Sequence, residues 1–210
     1  MGPGWALLGD AAAFLDPYYS PGLDHAAFTA EATVEVIAHD HAGGDPTPRI
    51  AEHNATFLRS YHRFFDAVYR DKYQYMGEAD LLSAAFLLDT AHYYIFVVLP
   101  GYGRRGGFNW MPVLGPRPAL LTYGLMRRYN RRFAEIARRR QEAGAAGRWN
   151  HARRVRAYFD LRFAPFRMAL RGLGLWGFAE LDALRLRARR PVDLPTAPTP
   201  ERGASEARSA

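Results

Sequence analysis

Residues able to do chemistry concentrate between Gly9 and Asp24. Gly9 has no side chain, so a ligand or a neighbouring helix can approach its backbone closely. The Asp10 carboxylate can accept hydrogen bonds from sugar-like hydroxyls, and the small Ala11, Ala12 and Ala13 leave room for tight packing. Asp16-Pro17 and Ser20-Pro21-Gly22 punctuate a loop. Beyond it, Gly22 and Leu23 offer backbone N–H groups at a helix start, where partial positive charge favours an anion. The same residues would also serve as a plain strand-to-helix turn capped by Asp10, and spacing alone leaves both readings open.

The elements that must position these residues follow from hydrophobic periodicity. Trp5-Ala6-Leu7-Leu8, ending at Gly9, reads as a short buried strand, and Leu23 to Ala42 as a helix ended by Gly43-Gly44. From Pro48 to Met76 the residues Phe57, Leu58, Tyr61, Phe64, Phe65, Val68 and Tyr69 recur at helical spacing. Ala79 to Leu99 predicts a buried helix; its apolar run Tyr93 to Leu99 is too short to cross a bilayer. Gly101 to Pro118 predicts an extended loop carrying Phe108, Trp110 and Met111. Leu121, Leu125, Tyr129, Phe133 and Ile136 form one stripe of a helix over Ala119 to Ala143, whose arginines read as solvated. A last helical stretch runs from Trp149 toward Arg190 with a bend near Pro165. The expected organisation is residues 1–47 as a strand-loop-helix unit, 48–190 as a helical region and 191–210 as a disordered tail, whose Pro, Thr, Ser, Ala and Glu bury little.

Bulk composition bounds the chemistry further. With 210 residues and 49% hydrophobic content, the chain can bury a core of its own. The absence of cysteine excludes disulfides, thiolate metal sites and a cysteine nucleophile, so any redox chemistry must come from a cofactor. No secretory signal is visible at Met1 to Trp5, and a cytoplasmic location is the expectation. The net charge of +7 hides a split: residues 1–103 hold four arginines and one lysine against thirteen acids, a balance of −8, whereas residues 104–210 hold twenty-three arginines against eight acids, +15. Such a split implies either a surface for an acidic partner or nucleic acid, or two parts that attract each other within one fold.

The run Gly9-Asp10-Ala11-Ala12-Ala13-Phe14-Leu15-Asp16-Pro17-Tyr18-Tyr19-Ser20-Pro21-Gly22-Leu23-Asp24 resembles the second flavin signature of the tryptophan-halogenase-like branch of flavoprotein monooxygenases. The resemblance implies a mainly α chain with a short β element: the C-terminal, helix-rich part of an FAD/NAD(P)-binding, glutathione-reductase-like fold, its N-terminal Rossmann half missing. It implies FAD as cofactor, with Asp10 at the ribityl chain, Pro17 beside the isoalloxazine ring, the Gly22 and Leu23 amides toward the pyrimidine oxygen, and Gly9 allowing close approach. It also implies a flavin-dependent oxidation of an organic substrate by O2, monooxygenase or halogenase-like. The substrate would be a small molecule or a carrier-tethered one, and the partners would be a separate N-terminal FAD-binding chain and a flavin reductase. This chain alone would then be inactive.

Three departures from the family pattern shape these expectations. Halide in halogenases is held at a stretch matching Ser20, Pro21 and Gly22, but Pro21 has no N–H to offer, which puts oxygenation ahead of chlorination. Lys72, the only lysine, does not match the halogenase lysine. The literal Gly-x-Gly-x-x-Gly at Gly172, Gly174 and Gly177 follows an arginine-bearing helical stretch, includes bulky Trp176, lacks a following strand with an acidic end, and is read as a decoy.

Other residues are candidates with competing explanations. His25, in the first turn of the helix, reads as a substrate contact or as helix packing. His92 and Tyr93 read as cavity lining or as a satisfied core, and Trp110 as pocket lining. His39-Asp40-His41 has the wrong spacing for a helical metal site, so no metal is expected, and no catalytic residue is assigned. Two alternatives to the flavoenzyme reading remain: a basic helical docking module for an acidic carrier protein or, less in keeping with the missing recognition motifs, nucleic acid; and an inactive truncated remnant.

Overall fold

The computed structural model describes residues 1–19, 21–95, 117–156 and 164–188. Expectations at Ser20, at Trp110 and its loop, along the run to Leu99 and over the 191–210 tail lie outside the described residues. Among the described residues the long elements are all α-helices: α1 Pro21–His41, α2 Thr47–Phe64, α3 Ala79–Tyr93, α4 Arg117–Glu142, the short α5 Arg153–Arg156 and α6 Pro165–Ala188.

No strand occurs among the described residues. The expected strand at Trp5 to Leu8 is absent: Gly2 and Trp5 exchange backbone hydrogen bonds of 3.0 and 3.2 Å across a tight turn, and Trp5, Leu7 and Leu8 are exposed. An apolar run becomes a strand only beside a partner that satisfies its backbone, and no described segment offers one. The first helix starts two residues earlier than expected, with Pro21 at its first position, where a missing N–H does no harm. It stops where expected: Gly43, at φ +80, and Gly44 return their amides to Asp40 and His39.

α3 is the central element. Leu81, Ala84, Ala85, Leu87 and Ala91 are buried around its circumference, the pattern of a helix enclosed by protein. Its alanines permit close approach by α6, where Gly172 faces Leu88 and Ala84 so closely that an added Cβ would sit 2.7 Å from Leu88 Cγ and 3.2 Å from the Ala84 carbonyl oxygen. The glycine motif at 172–177 therefore lies inside a helix, and its first glycine serves packing. α4 adds Tyr123, Met126, Tyr129, Phe133, Ile136 and Ala137 to the same core.

The reading of the α4 arginines as solvated is corrected by Arg140, which is 0% exposed. Its guanidinium donates to Glu78 Oε2 at 2.7 Å and to both Asp80 oxygens at 2.7 and 2.8 Å, and its Nε lies 3.3 Å from Asp182 Oδ2. Arg132 is likewise engaged, reaching Glu180 through two hydrogen bonds of 2.7 Å and also Glu135. Arg140 comes from the basic half of the sequence and Glu78 and Asp80 from the acidic half, so part of the charge split is spent on attraction within the fold. The turn after α4 folds onto the same cluster: Gly147 N–H donates to Glu78, Trp149 Nε1–H to Asp182, and Asn150 caps α3 by accepting from Ala79 N–H at 2.8 Å.

Two consequences can be measured by urea denaturation. Arg140→Met removes the buried cation that Glu78, Asp80 and Asp182 share and is expected to destabilise the fold by about 3–5 kcal/mol; an unchanged midpoint would show the cluster to be inessential. Gly172→Ala is expected to destabilise by about 1–3 kcal/mol through overpacking, whereas Gly174→Ala and Gly177→Ala, which meet open space, are expected to stabilise by up to about 1 kcal/mol each through helix propensity.

Candidate functional site

The segment Gly9 to Asp24 lies against the α1–α2 pair and is gripped by tyrosines. Gly9 adopts φ +53 and opens a tight turn, Gly9–Ala11, in which Ala12 and Ala13 return their amides to its carbonyl. An added Cβ at Gly9 would come within 3.2 Å of Ala26 Cβ, so glycine is required here both for its conformation and for the approach of α1. Leu15 inserts into the core at 5% exposure. On either side of it, Tyr61 donates to the Phe14 carbonyl and Tyr69 to the Asp16 carbonyl, while Tyr73 hydrogen-bonds the Asp16 carboxylate. Asp16 also accepts from Tyr18 N–H, which sets the turn Pro17–Tyr19.

This arrangement brings together most of the residues that the sequence singled out. Asp10 is exposed, and its Oδ1 lies 3.5 Å from where a Cβ on Gly22 would stand, so the carboxylate sits at the N-terminal turn of α1. Apart from its chain neighbours and its own helix backbone, no other atom among the described residues lies within 4 Å of that added Cβ. Leu23 is 76% exposed, and Asp24 accepts from the Tyr93 hydroxyl at 2.9 Å, which joins the end of α3 to the start of α1. Pro17 is exposed on its turn.

The histidines turn inward. His25 is buried, stacked on Phe57 of α2 at 4.9 Å, and its Nε2 has no hydrogen-bond partner. His92 packs edge-on against Tyr123 of α4 at 5.3 Å. His39, Asp40 and His41 form the last turn of α1.

Sequence reasoning missed a buried polar network beneath this segment. Lys72, 1% exposed, pairs with Asp89 of α3, which also accepts from the Tyr129 hydroxyl of α4. Burial, reinforced by Asp89, holds the Tyr129 hydroxyl well above its usual range, so it remains a donor. The Lys72 ammonium is pulled down by burial, with Asp89 opposing, and lies 5.5 Å from the centre of the Tyr18 ring. Tyr75 hydrogen-bonds Asn130, which donates in turn to the Ala67 carbonyl at 2.8 Å. Ala67 belongs to a π-turn, Phe65–Tyr69, that continues α2, where the wider spiral loosens the regular ladder and leaves a carbonyl to be claimed. The usable signal was Lys72 itself: a single lysine in an arginine-rich chain, at the end of an aromatic helix.

The chain is similar to a flavin-dependent halogenase. That protein, Flavin-dependent halogenase chlA of Dictyostelium discoideum, is 26% identical over 111 residues, which cover 52% of this chain and 18% of the halogenase. This chain therefore matches less than a fifth of the relative's length. No family model and no solved structure matches. Among the described residues, no helix is long and apolar enough to cross a membrane.

Burial makes His25 and His92 acid-sensitive. The His92 imidazole is pushed down to about 4 by desolvation, against a smaller opposing pull from Asp89, and His25 is lowered by the same cause. A folded-state value below the unfolded one of about 6.5 means that the unfolded chain binds more protons between the two. Stability is therefore expected to rise with pH from about 4 to 6.5 and to fall away on acidification, by about 3 kcal/mol for His92. Denaturation midpoints across that window should show the slope, and His92→Phe should flatten it; an equal slope in the variant would refute the assignment.

Proposed function

We propose that this chain supplies the flavin-closing part of an FAD-dependent oxidoreductase. The observation that carries the reading is the placement of Asp10 at the first turn of α1 beside Gly22, in a segment whose motif resembles a flavin signature and in a chain similar to a flavin-dependent halogenase. The donor set suits part of the cofactor. An exposed carboxylate can accept from ribityl hydroxyls, and the Gly22 and Leu23 amides, which have no intrahelical acceptor, suit the carbonyl edge of the pyrimidine ring. Gly9 lets α1 come close to the turn that carries Asp10, and Pro17 stands exposed on the neighbouring turn. Nothing among the described residues suits the pyrophosphate, so an ADP-binding half elsewhere is part of the proposal.

A bound flavin, reduced by a nicotinamide or a partner reductase, would supply the electrons with which O2 oxidises an organic substrate. The chain's own contribution is positional. The α1 N-terminus stabilises negative charge on the ring that faces it, Asp10 fixes the ribityl chain, and the tyrosine grip on Asp16 holds the loop in register. Pro21 removes an amide that halide would need, which favours oxygenation over halogenation.

Titration of the chain with FAD and with FMN, followed by flavin fluorescence, tests the reading. Weak but saturable quenching is expected, and Asp10→Ala should weaken it about tenfold, the equivalent of one charge-assisted hydrogen bond. Absence of saturable quenching at millimolar flavin, or equal quenching by the variant, would sink the proposal.

A further inference from the structure

Helix α6 is apolar on two opposite faces. One face, with Met168, Gly172, Leu175, Ala179 and Ala183, is buried, Gly172 against α3. On the other, Phe166, Leu170, Leu173, Leu181 and Leu184 are 49–70% exposed. At 100° per residue these five fall in one strip that runs the length of the helix, about 36 Å, with Gly177 filling the turn between Leu173 and Leu181. The strip contains no carboxylate: the two acids of α6 are Glu180, bound to Arg132, and the buried Asp182. By the same helical geometry, Arg167, Arg171 and Arg185 fall along one border and Arg187 along the other. None of these four pairs with a carboxylate among the described residues.

An apolar strip of this length on a protein surface calls for a cover, and the charge on its borders selects which one. In an antiparallel pairing with a second copy, Arg167 and Arg171 would meet the partner copy's equivalent of Arg185 on the same border. Nucleic acid matches the borders but has nothing for the apolar centre. An anionic lipid surface matches both: leucine and phenylalanine enter the boundary between headgroups and acyl chains while arginines meet lipid phosphates. The helix would lie on the membrane, because its other face is committed to the core and no described helix is apolar enough to span. We propose that α6 seats this protein on anionic lipid surfaces, independently of any flavin.

Co-sedimentation of the full chain with large unilamellar vesicles tests this, using phosphatidylcholine alone and phosphatidylcholine mixed with phosphatidylglycerol. Binding is expected to the mixed vesicles and to fall on pure phosphatidylcholine. Leu170→Asp combined with Leu181→Asp, both at exposed positions, should lower partitioning at least about tenfold while circular dichroism stays unchanged. Arg167→Glu with Arg185→Glu should remove most of the preference for phosphatidylglycerol. No sedimentation with the mixed vesicles, or equal sedimentation of the leucine variant, overturns the proposal. A dimer in sedimentation velocity that the leucine variant breaks, without vesicle binding, overturns it in favour of a second copy, and capture of an acidic protein without vesicle binding overturns it in favour of that partner.

Discussion

The architecture depends on one buried cation. Arg140 reaches carboxylates from the start of α3 and from α6 while anchored on α4, so a single guanidinium fixes how three helices meet. Two full hydrogen bonds to Asp80 and one to Glu78 exploit its planar fork, which a lysine could not reproduce. The acids outnumber Arg140 in the cluster, and the excess is met by the α3 N-terminus, by Gly147 N–H, by Trp149 Nε1–H and by Arg148 at 3.9 Å. Burying such a group is weak evidence for stability by itself, since desolvation offsets much of the attraction. Its clear effect is on geometry: α3, α4 and α6 have one mutual arrangement that leaves no carboxylate stranded.

A second buried network, from Lys72 through Asp89 to Tyr129, relays that order toward the N-terminal segment. Asp89 lies on the same helix as Asp80, so the charge cluster that sets α3 also sets the site of Lys72. Lys72 sits under Tyr18, and Tyr69 and Tyr73, its near neighbours in sequence, hold Asp16. The placement of Asp10 and Gly22 is thus the far end of a chain of contacts that begins in the core.

Helical periodicity made α2, α3 and α4 legible, and Gly43-Gly44 marked the end of α1 because a left-handed stop has a clear residue signature. The motif itself placed Asp10 near the helix start. Burial of charge was not legible: Arg140 and Lys72 belong to residue types that normally seek water, and their carboxylate partners lie 60 and 17 residues away along the chain. The strand reading at Trp5 to Leu8 failed for the converse reason, since an apolar run states a preference for burial but not whether a neighbour exists to provide it. Gly172 shows how a short motif acquires meaning from its element: inside a helix the same glycine admits a neighbouring backbone and no phosphate.

The grip on Asp16 is made by side chains. Tyr61 and Tyr73 make their hydrogen bonds in exposed positions, and no ladder of strand hydrogen bonds among the described residues backs them. Besides these, Leu15, the two hydrogen bonds between Met1 and Asn54, the Gly9–Ala26 approach and the Lys72–Tyr18 contact fasten the first nineteen residues to the helices. Asp10 lies in this side-chain-held segment while Gly22 and Leu23 belong to α1, so a ligand touching both would itself fasten the segment to the helix.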